Sequence, residues 1–187
     1  MIFADLLYLA VIVYCYKDKL KECRKKLFKK NIGKQILRAI GYALLLFVIY
    51  MAVGTVLSSF YPELGASDGN TEAIYSIYSV AAIYLVIKTL IFATIAEELL
   101  FKEAIRDIIK PNVLYIIISS VIYAFVNIMY DDLSLVVTWL YMIPYLLFAI
   151  LLNIIYVKND DNICLVFLIK FFYNLIPLAI LLSGVGA

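Results

Sequence analysis

Glu97 and Glu98 stand side by side in the stretch FATIAEELLFKEAIRD, at the end of a long apolar run. Carboxylates at membrane depth cost roughly 3 kcal/mol each on insertion scales, so a pair of them reads by default as a functional site. A carboxylate so placed can act as a general base toward water when a second group tunes it. The usual tuning group, histidine, is absent from the chain. Other polar residues recur at helical spacing in apolar surroundings: Tyr123 and Asn127 in ISSVIYAFVNIMY, Lys170 and Asn174 in CLVFLIKFFYNLIPL. An asparagine in a span needs a hydrogen bond across helices, worth about 0.6–2 kcal/mol. Lys170 must find a counter-ion, reach water or lose its proton. Glu98 and Lys102 lie four apart in the favourable order for an ion pair, and Lys102 and Arg106, also four apart, can snorkel to an interface. Adjacent glutamates on a helix point about 100° apart, so one is expected to face the bundle interior while the other caps or pairs nearby. The simplest bundle sets Glu97 or Glu98 opposite Lys170, with Asn127 and Asn174 completing the hydrogen bonds.

The elements that must position these groups are membrane spans. The chain has 187 residues, is 66% hydrophobic and has a mean hydropathy of +1.00, far from the roughly 45–50% apolar content of soluble domains. Six apolar segments are predicted, at about 1–16, 39–60, 76–98, 112–130, 133–156 and 162–183. The fold expected is an all-α, polytopic membrane bundle. Its joints are a basic stretch (17–38), a Pro/Gly/Asp loop (61–72), the segment from Lys102 to Pro111, and acidic turns at Asp131-Asp132 and Asp160-Asp161. In six spans, the basic residues of 17–38, Lys102, Arg106, Lys110 and Lys158 fall on one side and only acids on the other. By the positive-inside rule this predicts a multi-pass cell-membrane protein with both termini outside. The N-terminus has no positive n-region ahead of its apolar run, so an uncleaved anchor is expected. Tyrosines at span ends (Tyr8, Tyr50, Tyr61, Tyr130, Tyr156) suit interfacial belts. Pro144 and Pro177 fall within spans, where they are tolerated. Cys15, Cys23 and Cys164 show neither metal spacing nor an even-numbered framework, and Cys15 and Cys164 read as small apolar residues within spans. With no histidine and no ligand-spaced cysteine, no metal and no cofactor is expected. The 17–38 stretch reads first as a topology anchor, then as a surface for anionic membrane lipid; nucleic acid is not an expected partner. The Lys-, Ile-, Tyr- and Asn-rich composition points to a bacterium of low GC content.

Order and spacing together resemble the CPBP (CAAX protease and bacteriocin-processing, or Abi) intramembrane protease family, which includes prenyl-protein endopeptidases. The first family motif is E-E-x-x-x-R, and EELLFK supplies Glu97, Glu98 and Lys102 in the arginine's place. The second is F-x-x-x-H, and YAFVN supplies Tyr123 and Asn127. The third is H-x-x-x-N, and KFFYN supplies Lys170 and Asn174. The resemblance covers roughly residues 75–182 and implies a core bundle over 75–187, with 1–74 as additional spans carrying the basic cytoplasmic loop. It also implies roles: the first glutamate and the second motif's histidine activate a water, while the third motif stabilises the oxyanion. Here both histidine positions are changed, to Asn127 and Lys170. Asparagine accepts no proton at neutral pH, so Glu97 would be base alone. Lys170 can serve an oxyanion as a cation, or neutralise the glutamates as an ion pair.

Each of these residues also has a plainer reading. Glu97-Glu98 can be a helix emerging into water, Asn127 an interhelical hydrogen bond, Lys170-Asn174 a structural pair, and Lys88 a snorkelling cation or a contact to another protein. The preferred expectation is a family member without hydrolysis. Its polar centre, with Lys102, Arg106 and Tyr123 as binding groups, would hold a peptide, a lipid-modified tail or a partner membrane protein, as scaffold, regulator or immunity factor. The alternatives are an active glutamic-type endopeptidase using Glu97, and a small subunit of a membrane transport complex.

Overall fold

The computed structural model describes residues 2–29, 31–61, 81–129 and 136–183. Most of the 61–72 loop, Tyr130, Asp131-Asp132 and the last residues of the tail lie outside the described residues. The described residues form seven helices and no strand: α1 (Ile2–Cys15), α2 (Lys17–Lys29), α3 (Ile32–Phe60), α4 (81–108), α5 (Asn112–Ile128), α6 (Val136–Lys158) and α7 (Ile163–Leu182). The protein is an all-α membrane helical bundle. α3, α6 and α7 are long and apolar enough to cross a bilayer; α1 and α5 are shorter apolar helices.

α7 is the hub, packing against α2, α3, α4 and α6, while α5 and α6 form the most extensive helix pair. Close approach follows from small residues. Ala39 and Ala43 of α3 and Ala149 of α6 are fully buried, which lets backbones near one another where lipid supplies no hydrophobic drive. Phe148, Leu152, Ile163, Val166 and Ile169 fill the space left between them. α6 and α7 run through Pro144 and Pro177.

Three joints differ from the sequence expectation. The basic stretch is not a plain loop: 17–29 is a helix, and α3 begins at Ile32 because the Asn31 side chain caps it, accepting from the Lys34 N–H at 3.3 Å. The third apolar segment does not end at Glu98. α4 continues through Lys102 and Arg106 to residue 108, since no breaker intervenes before Pro111, which stands at the N-cap of α5. The α6–α7 turn places Asp160 and Asp161 at φ 57° and 51°, a left-handed conformation that aspartate tolerates better than most residues. This turn, the start of α3 and the end of α4 meet at one end of the bundle, where Arg38 donates to Asn159 at 3.5 Å and Arg106 pairs with Asp161 at 3.0 Å.

The cysteines also depart from expectation. Cys164 is not a lone apolar filler; it is bonded to Cys23, 141 residues away in sequence, with Cα atoms 5.6 Å apart. Spacing cannot reveal this pair, because it depends on α2 folding down against α7. Cys15 remains free and exposed. Denatured without reductant, the chain should therefore take up maleimide at one cysteine, and at all three after reduction, as read by intact mass. Three adducts before reduction would show that α2 is not covalently held.

Candidate functional site

α4 is not a uniform α-helix. Only Thr94–Glu98 keeps α-helical hydrogen bonding in its middle, between π-helical stretches at Lys88–Ala93 and Leu99–Ala104. Such stretches free backbone groups and are frequent at functional sites. Here the freed groups are used. The Thr89 carbonyl accepts from the Thr94 hydroxyl and from Asn174 Nδ2 of α7, each at 3.2 Å. The Phe101 carbonyl accepts from Ser119 of α5 at 2.6 Å. Wide turns thus stitch α4 to α7 on one side of the glutamates and to α5 on the other.

Between them lies a four-charge cluster. Lys170 Nζ reaches from α7 to Glu97 Oε2 at 3.1 Å and Glu98 Oε1 at 3.5 Å, and donates to the Tyr123 hydroxyl of α5 at 2.7 Å. Lys102 meets Glu98 Oε2 at 2.9 Å. That oxygen is buried and takes no hydrogen bond, so the contact holds by charge more than by direction. Two carboxylates face two ammonium groups, and three of the four are hidden from solvent: side-chain exposure is 1% at Glu98, 3% at Lys102 and 4% at Lys170, against 38% at Glu97. Both glutamates converge on one ammonium despite pointing apart, because Lys170 is long enough to sit between them. Phe101, Tyr123, Phe148 and Tyr173 form a chain of ring contacts beside it, with Lys170 Nζ 5.2 Å from the Phe148 centroid. An apolar wall of this kind keeps the local dielectric low and the pairing strong.

Of the residues expected from sequence, Glu97, Glu98, Lys102, Tyr123 and Lys170 come together, and Asn174 joins them at one remove through Thr94, donating at 3.2 Å. Two stand apart. Asn127 turns back along its own helix and donates to the Tyr123 carbonyl at 2.8 Å. Arg106 lies at the basic end, bound to Asp161, to the Lys110 carbonyl and to Asn112. Lys102 does not snorkel, since Glu98 holds it inside.

Sequence reasoning missed three polar groups. Lys88 is paired within the chain, with Asp5 of α1 at 3.2 Å, and Tyr84 also donates to Asp5. The signal was Asp5 itself, an acid within the first apolar segment. Farther along α4, buried Glu103 accepts from Tyr156 at 2.8 Å and pairs with Lys19 of α2 at 2.7 Å; Lys19 also meets Asp107 at 2.6 Å. Partial burial works against the Lys19 charge, but the bonds to Asp107 and Glu103 outweigh it and hold its pKa above the ordinary lysine value. Asn153 binds Ser119 and Ser120 at 3.0 and 2.9 Å, closing the α5–α6 interface.

A membrane bundle of this kind, with a buried cluster of glutamate, lysine and tyrosine at helical motif positions, belongs to a recognisable class of intramembrane proteins. Residues 79–176, just over half of the chain, match the family model described as type II CAAX prenyl endopeptidase Rce1-like. The chain belongs to that family. It is also similar to an uncharacterized protein of Mycoplasma capricolum, 26% identical over 184 residues, which cover 93% of this chain and 53% of that protein. The chain therefore spans about half the length of that relative. No solved structure matches it.

The cluster predicts a non-additive stability pattern. Lys170→Met alone leaves two carboxylates facing one ammonium and should cost about 3–5 kcal/mol. Adding Glu97→Gln restores balance, because Glu98 and Lys102 remain as a pair, and should recover 1 kcal/mol or more of that loss. Thermal unfolding in detergent checks this; strict additivity would show that Glu97 and Lys170 are not energetically coupled.

Proposed function

We propose that this family member has given up hydrolysis and uses its polar centre to bind a peptide, a lipid-modified tail or a partner membrane protein, as scaffold, regulator or immunity factor. The observation that carries this reading is the seat of Lys170, 3.1 Å from Glu97 and 3.5 Å from Glu98. A base that activates water must present an unshared lone pair to a proton of that water. Here one oxygen of the Glu97 carboxylate is already engaged by a buried ammonium. The chain contains no histidine to take the proton instead. Of this cluster, half-exposed Glu97 is the group open to a bound partner, with the buried Lys170 ammonium behind it.

One observation favours a second reading, an active glutamic-type endopeptidase: the Glu97 side chain is 38% exposed, unlike the other three charges of the cluster. In that reading Glu97 is the base, Lys170 and Asn174 face the oxyanion, and Asn127 positions the substrate. The amide hydrogens of Asn174 are directed to Thr89 and Thr94, and Asn127 bonds its own helix, so both would have to rearrange. The reading as a transport subunit loses its motive, since Lys88 has Asp5 as its partner. For topology we take six spans with both termini outside, which the gathering of basic joints at one end of the bundle supports.

The test compares wild type with Glu97→Gln in defined bilayers holding membrane-anchored and C-terminally prenylated peptides, with products read by mass spectrometry. Neither protein should release products while both remain folded. Products from wild type that vanish with Glu97→Gln would establish the protease and overturn the binding reading.

A further inference from the structure

The basic end of the bundle carries a feature unrelated to the glutamate cluster. α2 is an amphipathic helix pinned at two points: Cys23 is bonded to Cys164 of α7, and Lys19 is held by Glu103 and Asp107 of α4. The rest of α2 is unusually charged, with seven basic and two acidic residues in thirteen. With Lys19 engaged by α4, the helix keeps a surplus of four positive charges. Lys17, Lys21, Lys25 and Lys26 are exposed, and Lys21 and Lys26 pair with acids of α2 itself, Asp18 and Glu22.

Directly beside this helix opens an apolar groove of about 310 Å³ between α4 and α7. Ile91 and Ile95 line one wall, Phe167 and Phe171 the other, and Leu27 of α2 closes one end. Its size suits a length of one hydrocarbon chain. On the far side of the Cys23–Cys164 bond the lining changes character: a cavity of about 430 Å³ is bounded by Lys19, Lys26, Arg106 and Lys110 with several acids. The polar-to-apolar boundary therefore runs across α2, which is where the headgroup level of a bilayer meets its hydrocarbon.

We infer that α2 and the adjoining groove form a binding site for an anionic phospholipid, with one acyl chain in the groove and the phosphate held by the exposed lysines of α2. The choice of partner rests on two complementarities on the same helix: surplus positive charge for an anionic headgroup, and an apolar slot opening beside Leu27 for its chain. Basic residues at a membrane surface attract anionic lipid by about 1 kcal/mol each, about fivefold in association. The groove converts that general attraction into a seated lipid, and the pinning of α2 fixes where the headgroup sits.

Spin-labelled phosphatidylglycerol and spin-labelled phosphatidylcholine provide the test, each added to the full chain in phosphatidylcholine nanodiscs. Electron spin resonance reads the immobilised fraction. Wild type should retain phosphatidylglycerol at least about fivefold better than phosphatidylcholine, the preference that one effective lysine supplies. K21Q/K25Q/K26Q should bring the two lipids close to equality, and Ile91→Trp, which fills the groove, should lower the immobilised fraction of phosphatidylglycerol with the lysines intact. Circular dichroism and thermal unfolding confirm that the variants remain folded. Equal retention of the two lipids by wild type overturns the proposal. So does a preference that survives Ile91→Trp unchanged, since the groove would then belong to another occupant, such as a peptide or a second copy.

Discussion

The bundle is organised around one buried ammonium. Lys170 on α7 cannot be left alone in an apolar interior, where an uncompensated charge costs several kcal/mol. Two carboxylates from α4 and a hydroxyl from α5 meet it within 3.5 Å. That requirement fixes the approach of three helices. Glu98 must point inward, which brings Lys102 in after it as its second partner. The π-helical turns on either side of Thr94–Glu98 follow the same logic, because their freed carbonyls anchor α4 to Asn174 and Ser119. The chain of rings from Phe101 to Tyr173 then keeps water away from most of the cluster and leaves only Glu97 half open.

A second polar system at the basic end has different physics. Lys19, Asp107, Arg106 and Asp161 are partly solvated, Glu103 alone of the set being buried, so these pairs are worth less than those of the cluster and are screened by salt. Their combined effect is positional: with the Cys23–Cys164 bond they lay α2 against the ends of α4 and α7. Among the described residues the two systems share α4 but no ion pair, so changes at the basic end need not disturb the glutamates. Glu103 comes nearest to linking them, five residues beyond Glu98, yet it pairs with Lys19 and Tyr156 and not with the cluster.

Much of this architecture was legible in the sequence, for identifiable reasons. Apolar runs of span length reveal membrane helices directly, and a charge inside such a run demands a partner, which is why Glu97 or Glu98 could be set opposite Lys170. Spacing of four residues found Lys102 for the same reason. What stayed hidden depended on register or on long-range folding. The spacing of Asn127 suits a bond across the interface, but an asparagine in a helix can satisfy itself on the carbonyl four residues back, and it does so on Tyr123. The π-helical turns leave no mark in periodicity, so neither the role of Thr89 nor the continuation of α4 to 108 could be anticipated. Asp5 was visible but unused, because a single acid near a chain start reads as a terminal residue until Lys88 is brought beside it. The Cys23–Cys164 pair needed α2 to be placed first.

The change at the third motif alters what kind of centre this fold can hold. Histidine, with an ordinary pKa near 6.5, exchanges a proton near neutrality and can be base, acid or neutral donor in turn. Lysine carries an ordinary value near 10.4, four units away, and acts at neutral pH as a fixed point charge. A fixed charge stabilises what is already negative; it does not take up a proton when a water is attacked. Set between two glutamates, Lys170 forms an electrostatic lock between α4, α5 and α7. The second change points the same way, since Asn127 offers an amide in place of a ring nitrogen and directs it along its own helix. In the proposed binding reading the frame serves recognition without hydrolysis, and half-open Glu97, with Lys170 behind it, is where a bound partner would meet it.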